Sequence, residues 1–422
     1  MTGAIRKVLA PLAVRALLLR EWWQSGVTYY PLSPRVRRDP YPHYARLRAR
    51  DPVHWSALMN AWVVSRYADV DAILRDHRRF ANDPRKCTRS RLLRTPLEAG
   101  EPSMLFLDPP DHTRLRSLVS KAFTPQAIAA LEPRIRAIVN ELLDGIADPA
   151  AFDLIEVLAY PLPVIVIAEL LGVPPQDRAQ FKRWSDQRAR ILEPVLTARE
   201  RQEAMQAAKE LDAYFLRILD ARRREPRADL ISALVAAEEQ GDRLTQAELL
   251  VMLRLLLVAG NETTTNLIGN GMLALLRHPD QLHLLRARPE LLPSAVEELL
   301  RYDAPVQIDA RTAVEDVDLH GRHIAKGQAV ILLLGAANRD PEVFPHPDTL
   351  DIIRQQASHI AFGRGIHHCL GAPLARLEAR IAFEALLQRF ADLRLLSEEP
   401  PWRDNVVLRG LRALPLRATV AR

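Results

Sequence analysis

The sequence predicts a mainly α-helical protein with small β-sheets at its periphery. Three observations support this fold class: 48% of the 422 residues are hydrophobic, the apolar spacing between about residues 109 and 302 has a helical period, and short strand-like runs lie towards both ends of the chain. Proline and glycine are spread along the chain, with no linker or internal repeat. We therefore expect one continuous domain, residues 36–422, preceded by an N-terminal extension of unknown role, residues 1–35.

The helical segments are predicted from apolar residues at positions i, i+3 and i+4. They are 125–146 (PQAIAALEPRIRAIVNELLDGI), 156–173 (EVLAYPLPVIVIAELLGV), 201–224 (RQEAMQAAKELDAYFLRILDARRR) and 245–278. The last segment is unusually long and nearly uncharged through its middle. We expect it to run through the interior of the protein.

The predicted strands are short runs bounded by turn residues. Two come early, at 52–55 and 61–65, and four come late, at 310–314, 317–321, 323–334 and 408–418. Because these runs are short and confined to the two ends of the chain, we expect small sheets beside a helical body.

The N-terminal extension is basic: the first 40 residues carry seven basic and two acidic side chains. Its apolar run at 8–19 is broken by Pro11 and Arg15 and is far shorter than the roughly 20 residues of a membrane span. Basic charge beside Trp22 and Trp23 is typical of helices that lie on a membrane surface. Four cations, however, scatter around a helical wheel: Arg6, Lys7, Arg15 and Arg20. Membrane contact is therefore disfavoured, and neither an anchor nor a cleaved signal is expected.

Cys87 and Cys369 are too few for a disulfide framework. They indicate a reducing compartment, and we expect the protein in the cytoplasm. A second basic cluster, at 85–94, has no acid within it: Arg85, Lys86, Arg89, Arg91 and Arg94. A solvated loop is the favoured interpretation, and an entrance for carboxylate-bearing ligands is the alternative. Nucleic acid is disfavoured, because no aromatic residues interleave with these charges.

The segment HIAFGRGIHHCLG, at 359–371, places Cys369 between glycines and just before a helical run. The glycines let the backbone turn so that amide N–H groups point at the sulfur, and a helix N-terminus lowers a thiol pKa. A buried structural cysteine is one interpretation. A zinc site with His359 and His367, a Cys-His hydrolase and a heme-thiolate ligand are the others.

The spacing around this cysteine resembles the heme-binding signature of the cytochrome P450 family. All defined positions match: Phe362, Gly363, Gly365, His367, Cys369 and Gly371. The resemblance extends from about residue 39 to the end of the chain. It implies the cytochrome P450 fold and a bound heme b, with Cys369 as the protein ligand of the heme iron. The departures are local. His368 stands beside the ligand where many relatives have an aromatic residue, Leu350 occupies a place where an aromatic is common, and Asn261 lies between the small residues Ala259 and Gly260 and the acid Glu262.

Two further motifs resemble this family. Glu298 and Arg301, at i and i+3, share a helix face, and in the family such a pair ties its helix to the segment before the heme ligand, here 336–347. On the long helix the stretch AGNETT contains Ala259, Gly260, Glu262 and Thr263. Ala259 and Thr263 share a face with room for a bulky group, although a packing notch with a back-bonded threonine is the plainer interpretation. The resemblance implies that Ala259 and Gly260 adjoin the heme, while Glu262 and Thr263 deliver protons to dioxygen on its iron.

Cationic side chains are needed for the two heme carboxylates. By resemblance these are His112 and Arg116, at i and i+4, together with Arg311 and His367. If the heme lies against the long helix, as the resemblance implies, four apolar residues are expected to line a substrate pocket: Leu255, Val258, Val306 and Ile308.

The resemblance implies a monooxygenase that inserts one oxygen atom of O₂ into a C–H bond, or makes an epoxide, in a hydrophobic small molecule. A terpenoid, steroid, fatty acid or polyketide would suit the pocket equally. No flavin or nicotinamide domain is visible, so electrons are expected from a ferredoxin and its reductase. A peroxygenase that uses H₂O₂ and a heme-binding sensor are the alternatives; the first is disfavoured because Glu262 and Thr263 are both present.

Overall fold

The computed structural model describes residues 3–89, 103–189, 197–227, 229–239, 244–355 and 358–420, and within these ranges it describes only the backbone of 3–11, 121, 189 and 237–239. Most of these residues are helical. The helices are α1 (Gly3–Ser25), α2 (Pro34–Arg38), α3 (Tyr41–Arg50), α4 (Tyr67–Arg75), α5 (Asp111–Ser120), α6 (Pro125–Ala129), α7 (Glu132–Asp144), α8 (Pro161–Leu170), α9 (Arg178–Ala189), α10 (Ala198–Arg224), α11 (Leu230–Glu239), α12 (Gln246–Arg277), α13 (Pro279–Ala287), α14 (Leu292–Tyr302), α15 (Leu334–Ala337) and α16 (Ala372–Arg389).

The strands are short and form three small sheets. They are β1 (Val53–Ser56), β2 (Ala61–Val64), β3 (Phe80–Ala81), β4 (Phe152–Asp153), β5 (Ile308–Ala313), β6 (Val317–Leu319), β7 (Arg322–Ile324), β8 (Ala329–Leu333), β9 (Phe390–Leu395) and β10 (Pro415–Val420). The sheet orders are β1-β2-β8-β5-β3, β4-β10-β9 and β6-β7. Only β2 and β8 pair in parallel among these strands.

Helix α12 runs through the core and organises the site. It begins with a capping box in which Thr245 and Glu248 exchange side-chain and backbone hydrogen bonds, and its 32 residues span about 48 Å. From Asn261 to Leu275 its side chains are almost all buried. It packs against α8, α9, α14 and α16, so the expected interior course of this helix is confirmed.

The sequence predicted most of these elements, with some errors at the ends. The run at 125–146 is split into α6 and α7, and Pro133 occupies the first turn of α7, where a missing N–H costs no hydrogen bond. The run at 408–418 is a strand only from Pro415, because Leu408 and Leu411 make isolated bridges instead. Strand β9 had no counterpart in the sequence prediction.

The segment before residue 35 packs against the body through one buried acid. Glu21, on α1, is 0% exposed and accepts hydrogen bonds from the N–H groups of Tyr29 and Leu58 and from Ser56 Oγ, at 2.9, 3.1 and 3.0 Å. His54 Nε2 lies 3.3 Å from the same carboxylate. The domain boundary at residue 35 stays a prediction.

Candidate functional site

A cavity of about 680 Å³ lies between α12 and the segment that leads into α16. This volume falls in the range of small-molecule sites. Cys369 lines one side, and Ala259, Gly260, Thr263 and Thr264 of α12 line another. Apolar side chains form most of the remaining wall.

The turn that carries Cys369 is built from glycines with positive φ. Gly363 and Gly365 both have φ of +68°, and a side chain at Gly365 would come within 2.6 Å of the Leu74 carbonyl oxygen. The Cys369 N–H donates to the Phe362 carbonyl at 2.9 Å and closes the turn. Helix α16 begins three residues later, so the expected position of the cysteine before a helix N-terminus is confirmed.

The Cys369 thiol faces the cavity. The side chain is exposed by surface area, and that exposed surface belongs to the cavity wall. Burial raises the pKa of this thiol above its ordinary value, while the N–H groups of Gly371 and Ala372 and the charge of Arg116 lower it. The sequence correctly anticipated amides directed at the sulfur. The expected net lowering of the pKa is wrong for the protein alone, since desolvation outweighs the amides.

On the opposite wall, Thr263 Oγ1 donates to the Ala259 carbonyl at 2.9 Å. Ala259 exposes its side chain to the cavity, so the small-residue notch predicted from the sequence exists. The threonine is back-bonded as well. Its hydroxyl proton is committed to the helix, and the oxygen lone pairs remain as acceptors.

Two of the predicted residues on α12 do not line the cavity. The residues of α12 that line the cavity define one side of the helix. Measured around the helix axis at 100° per residue, Val258 lies about 150° and Glu262 about 110° from the centre of that side. Glu262 is buried, and its Oε1 lies 3.4 Å from Arg403 Nη1. The assignment of Val258 to the pocket is therefore wrong, and Glu262 lies behind the wall. The sequence pattern placed both on the correct helix but did not reveal which side faced the cavity.

The four predicted cationic or imidazole side chains do meet at the cavity: His112, Arg116, Arg311 and His367. The His112 and His367 rings lie 4.1 Å apart between centroids. Burial lowers the pKa of His112 to about 4 and that of His367 to about 3. His112 Nδ1 and His367 Nε2 are buried without a hydrogen-bond partner among the described residues.

The two arginines already have protein partners. Arg116 Nη2 donates to the His368 carbonyl at 2.6 Å, so His368 contributes its backbone to this corner. Arg311 Nη1 donates to Asn82 Oδ1 and Asp309 Oδ1, both at 2.7 Å. These bonds hold both guanidinium groups at the cavity wall.

The residues of the cavity fit a heme. A thiol faces the cavity from one side and small residues leave space on the other, while orphaned imidazole nitrogens lie beside Arg116 where carboxylates need donors. The zinc interpretation is wrong for the residues quoted, because His359 Nε2 is held 3.1 Å from Glu297 Oε2. Across the described ranges, no group of three or more His, Cys, Asp or Glu side chains could hold a metal ion.

Glu298 and Arg301 form a buried pair behind the cysteine turn. Arg301 Nε and Nη2 donate to Glu298 at 2.7 and 2.8 Å, and Arg301 Nη1 donates to the carbonyls of Asn338 and Pro347 at 3.0 and 2.8 Å. These two carbonyls belong to the predicted partner segment, 336–347. Arg354 Nε joins the same carboxylate at 3.2 Å and was missed, since it lies in no regular element.

Sequence reasoning also missed wall residues that come from distant parts of the chain. Tyr29 and Pro31 of the N-terminal segment line the cavity, as does the buried acid Glu378 of α16. Leu255, Val306 and Ile308 line it as predicted. Glu378 lies on α16, the helix that follows Cys369, and its burial depends on the segments that pack against that helix.

The basic cluster at 85–94 is partly neutralised by acids outside it. Arg85 Nη2 lies 2.6 Å from Asp83 Oδ2, and Lys86 Nζ lies 2.8 Å from Asp108 Oδ2. Arg91 and Arg94 lie outside the described residues. Because Arg85 and Lys86 are paired with acids, these two side chains do not support the alternative prediction of an entrance for carboxylate-bearing ligands.

Comparisons with known proteins agree with this geometry. The Cytochrome P450 family profile matches residues 53–408. The chain is 48% identical to cytochrome P450 monooxygenase PikC of Streptomyces venezuelae, over 93% of this chain and 96% of that protein. It is 45% identical to vitamin D(3) 25-hydroxylase of Pseudonocardia autotrophica, over 90% and 94%. The structure of the bacillaene polyketide synthase cytochrome P450 PksS of Bacillus subtilis matches with a TM-score of 0.86 and 42% identity, over 93% of this chain and all of that one.

No helix in the described part of the chain combines the length and apolar character needed to cross a membrane. The fold, the turn that carries Cys369 and the relatives all indicate the same family. The chain belongs to the cytochrome P450 family of heme-dependent monooxygenases.

Proposed function

We propose that this protein hydroxylates or epoxidises a hydrophobic small molecule with O₂, using electrons from a ferredoxin and its reductase. The observation that carries the proposal is the cavity between the Cys369 thiol and the notch formed by Ala259 and Thr263. A heme held there supplies dioxygen activation and the transfer of one oxygen atom. A cytoplasmic location suits the two free cysteines.

The side chains of this protein would ligate the heme iron, orient the heme and deliver protons. Cys369 would ligate the heme iron, and the amides of Gly371 and Ala372 would stabilise the negative charge of its thiolate. His112, Arg116 and His367 would hold the heme carboxylates, with Arg311 as a further cation at the wall.

Thr263 and Glu262 are the residues proposed for proton transfer. Because the Thr263 hydroxyl donates to Ala259, its oxygen accepts a hydrogen bond from a protonated group in the cavity. Glu262 is adjacent in sequence but is held by Arg403. Its carboxyl must leave Arg403 to reach the Thr263 side of the helix.

The substrate class follows from the cavity wall. Leu255, Val306, Ile308 and Leu408 give it an apolar lining, which favours terpenoid, steroid, fatty acid or polyketide skeletons. One relative is named for polyketide biosynthesis and another for vitamin D(3) hydroxylation. Both names fit a bulky apolar substrate.

Spectroscopy and reconstituted turnover test this proposal. The reduced, CO-bound protein should show the red-shifted Soret band of a thiolate-ligated heme, and an ordinary histidine-heme spectrum would contradict it. Substrates are sought by spectral shifts across panels of neutral and carboxylate-bearing apolar compounds. Product that forms with ferredoxin, reductase and NAD(P)H supports the proposed reaction. Product sustained only by H₂O₂ would assign peroxygenase activity instead.

A further inference from the structure

Helix α1 carries an unusual group of exposed apolar side chains. Four of the large exposed hydrophobic residues in the described part of the chain lie on it: Leu12, Leu19, Trp22 and Trp23. Trp23 is 81% exposed. The others, such as Met205 and Leu396, lie singly on other segments. Contiguous exposed apolar surface marks an interaction site more often than scattered residues do.

The burial of Glu21 fixes which side of α1 faces outwards. Glu21 is locked into the body by Tyr29, Ser56 and Leu58. On the opposite side of the helix an apolar stripe is formed by Leu12, Ala16, Leu19 and Trp23. The helix can therefore present this stripe without rotating away from the protein.

The charges beside the stripe are all positive. Arg15 and Arg20 are exposed and lie about 70° to either side of it on the helical wheel. Between residues 12 and 25, Glu21 is the only acid, and it is buried on the other side. At the end of α1, Arg50 Nη1 lies 3.5 Å from the Gly26 carbonyl oxygen and adds a further cation.

We propose that this face of α1 docks the protein on the surface of an anionic lipid bilayer. Leucine and tryptophan beside arginine suit the boundary between headgroups and acyl chains, and anionic lipids attract the flanking cations. The helix lies on the bilayer and does not cross it. A second copy of the chain suits the face less well, because a two-fold contact would bring the same cations together.

This position would bring the bilayer close to the cavity. Helix α1 ends at Ser25, and Tyr29 and Pro31 line the cavity a few residues later. The same Glu21 carboxylate holds both α1 and the Tyr29 N–H. An apolar compound dissolved in the bilayer would thus lie near the wall of the cavity.

The test is flotation of the full-length heme-loaded protein with vesicles. Binding is measured on phosphatidylcholine alone and on vesicles with about one third phosphatidylglycerol. Trp23→Asp should lower binding at least about tenfold on the anionic vesicles. Replacing Arg15 and Arg20 with Gln should lower it about thirtyfold there, with little change on neutral vesicles.

Leu396→Asp is the matched control, since Leu396 is 49% exposed but lies outside α1. It should bind vesicles as the wild type does, and heme absorbance with thermal melting should show that all variants fold. Absence of wild-type binding to either vesicle would overturn the proposal, as would an equal loss in Leu396→Asp and Trp23→Asp. A wild-type dimer that Trp23→Asp makes monomeric, without vesicle binding, would assign the face to a second copy. Binding only to an acidic protein partner would overturn it too.

Discussion

Arg403 Nη1 lies 3.4 Å from Glu262 Oε1 and so connects the C-terminal segment to the acid of the central helix. Neighbours on a helix point about 100° apart. Thr263 lines the cavity, while Glu262 faces Arg403 behind the cavity wall. The Glu262 carboxyl and the Thr263 hydroxyl therefore belong to consecutive residues but lie on different sides of α12.

Glu262→Gln should lower kcat about 10- to 100-fold, because the variant cannot release a proton. Substrate affinity from the spectral shift should not change, since Glu262 does not line the cavity. Glu248→Gln is the control: Glu248 is also an acid of α12 paired with an arginine, Arg114. Equal losses in both variants would show that the effect is structural.

Thr263→Ala should uncouple electron consumption from product formation. Removal of the hydroxyl takes away the acceptor that Thr263 offers to the cavity, so H₂O₂ should rise as product falls at similar NAD(P)H consumption. The three quantities are measured in the same reaction. Thr265→Ala serves as the control, because Thr265 is likewise back-bonded, to Asn261, but is absent from the cavity wall. Tight coupling in Thr263→Ala would remove Thr263 from the proposed mechanism.

Arg301→Met should cost about 3 kcal/mol of unfolding free energy, because it leaves the Glu298 carboxylate buried with one cation fewer. Both side chains are at most 4% exposed. Heme retention should fall as well, since Arg301 also holds the carbonyls of Asn338 and Pro347. Arg199→Met, in an exposed pair with Glu203, should cost less than about 1 kcal/mol. Denaturant titration and heme content check both variants.

Glu378→Gln should stabilise the protein at alkaline pH. Burial raises the pKa of Glu378 to about 8, and its Oε2 is buried without a partner among the described residues. A raised carboxyl pKa means that the folded state holds a proton that the unfolded state has lost, so the penalty develops as pH rises from about 4.5 to about 8.

The expected gain for Glu378→Gln is about 4 kcal/mol at pH 8 and close to zero near pH 4.5. Urea unfolding across this range provides the measurement. Glu384→Gln, on the same helix but paired with Arg136, should show no such gain. A constant difference between wild type and Glu378→Gln at all pH values would contradict the raised pKa.

Leu255→Phe should change the spectral response to bulky substrates, because Leu255 lines the cavity. Val258→Phe should not, since Val258 lies on the other side of α12. Titration of both variants with one substrate panel compares the two positions. If Leu255→Phe and Val258→Phe both lost affinity for the same substrates, Val258 would belong to the substrate pocket after all.

Much of this protein was predictable from local pattern. The course of α12 followed from its long, nearly uncharged apolar run, and the turn before α16 followed from the glycines around Cys369. Glu298 and Arg301 were paired by their spacing, and the structure confirms the pair. These features depend on neighbours in sequence, and helix and turn geometry places such neighbours without further information.

The faces of the helices were decided only by the tertiary structure. Burial of Glu21 among Tyr29, Ser56 and Leu58 turns the stripe of α1 outwards, which the scatter of cations on a helical wheel did not reveal. Glu262 likewise contacts Arg403 of the C-terminal segment, on a side of α12 that does not line the cavity. Periodicity determines that a helix has distinct sides, but the groups that pack against each side come from distant segments, and only their packing decides which side meets the cavity or the surface.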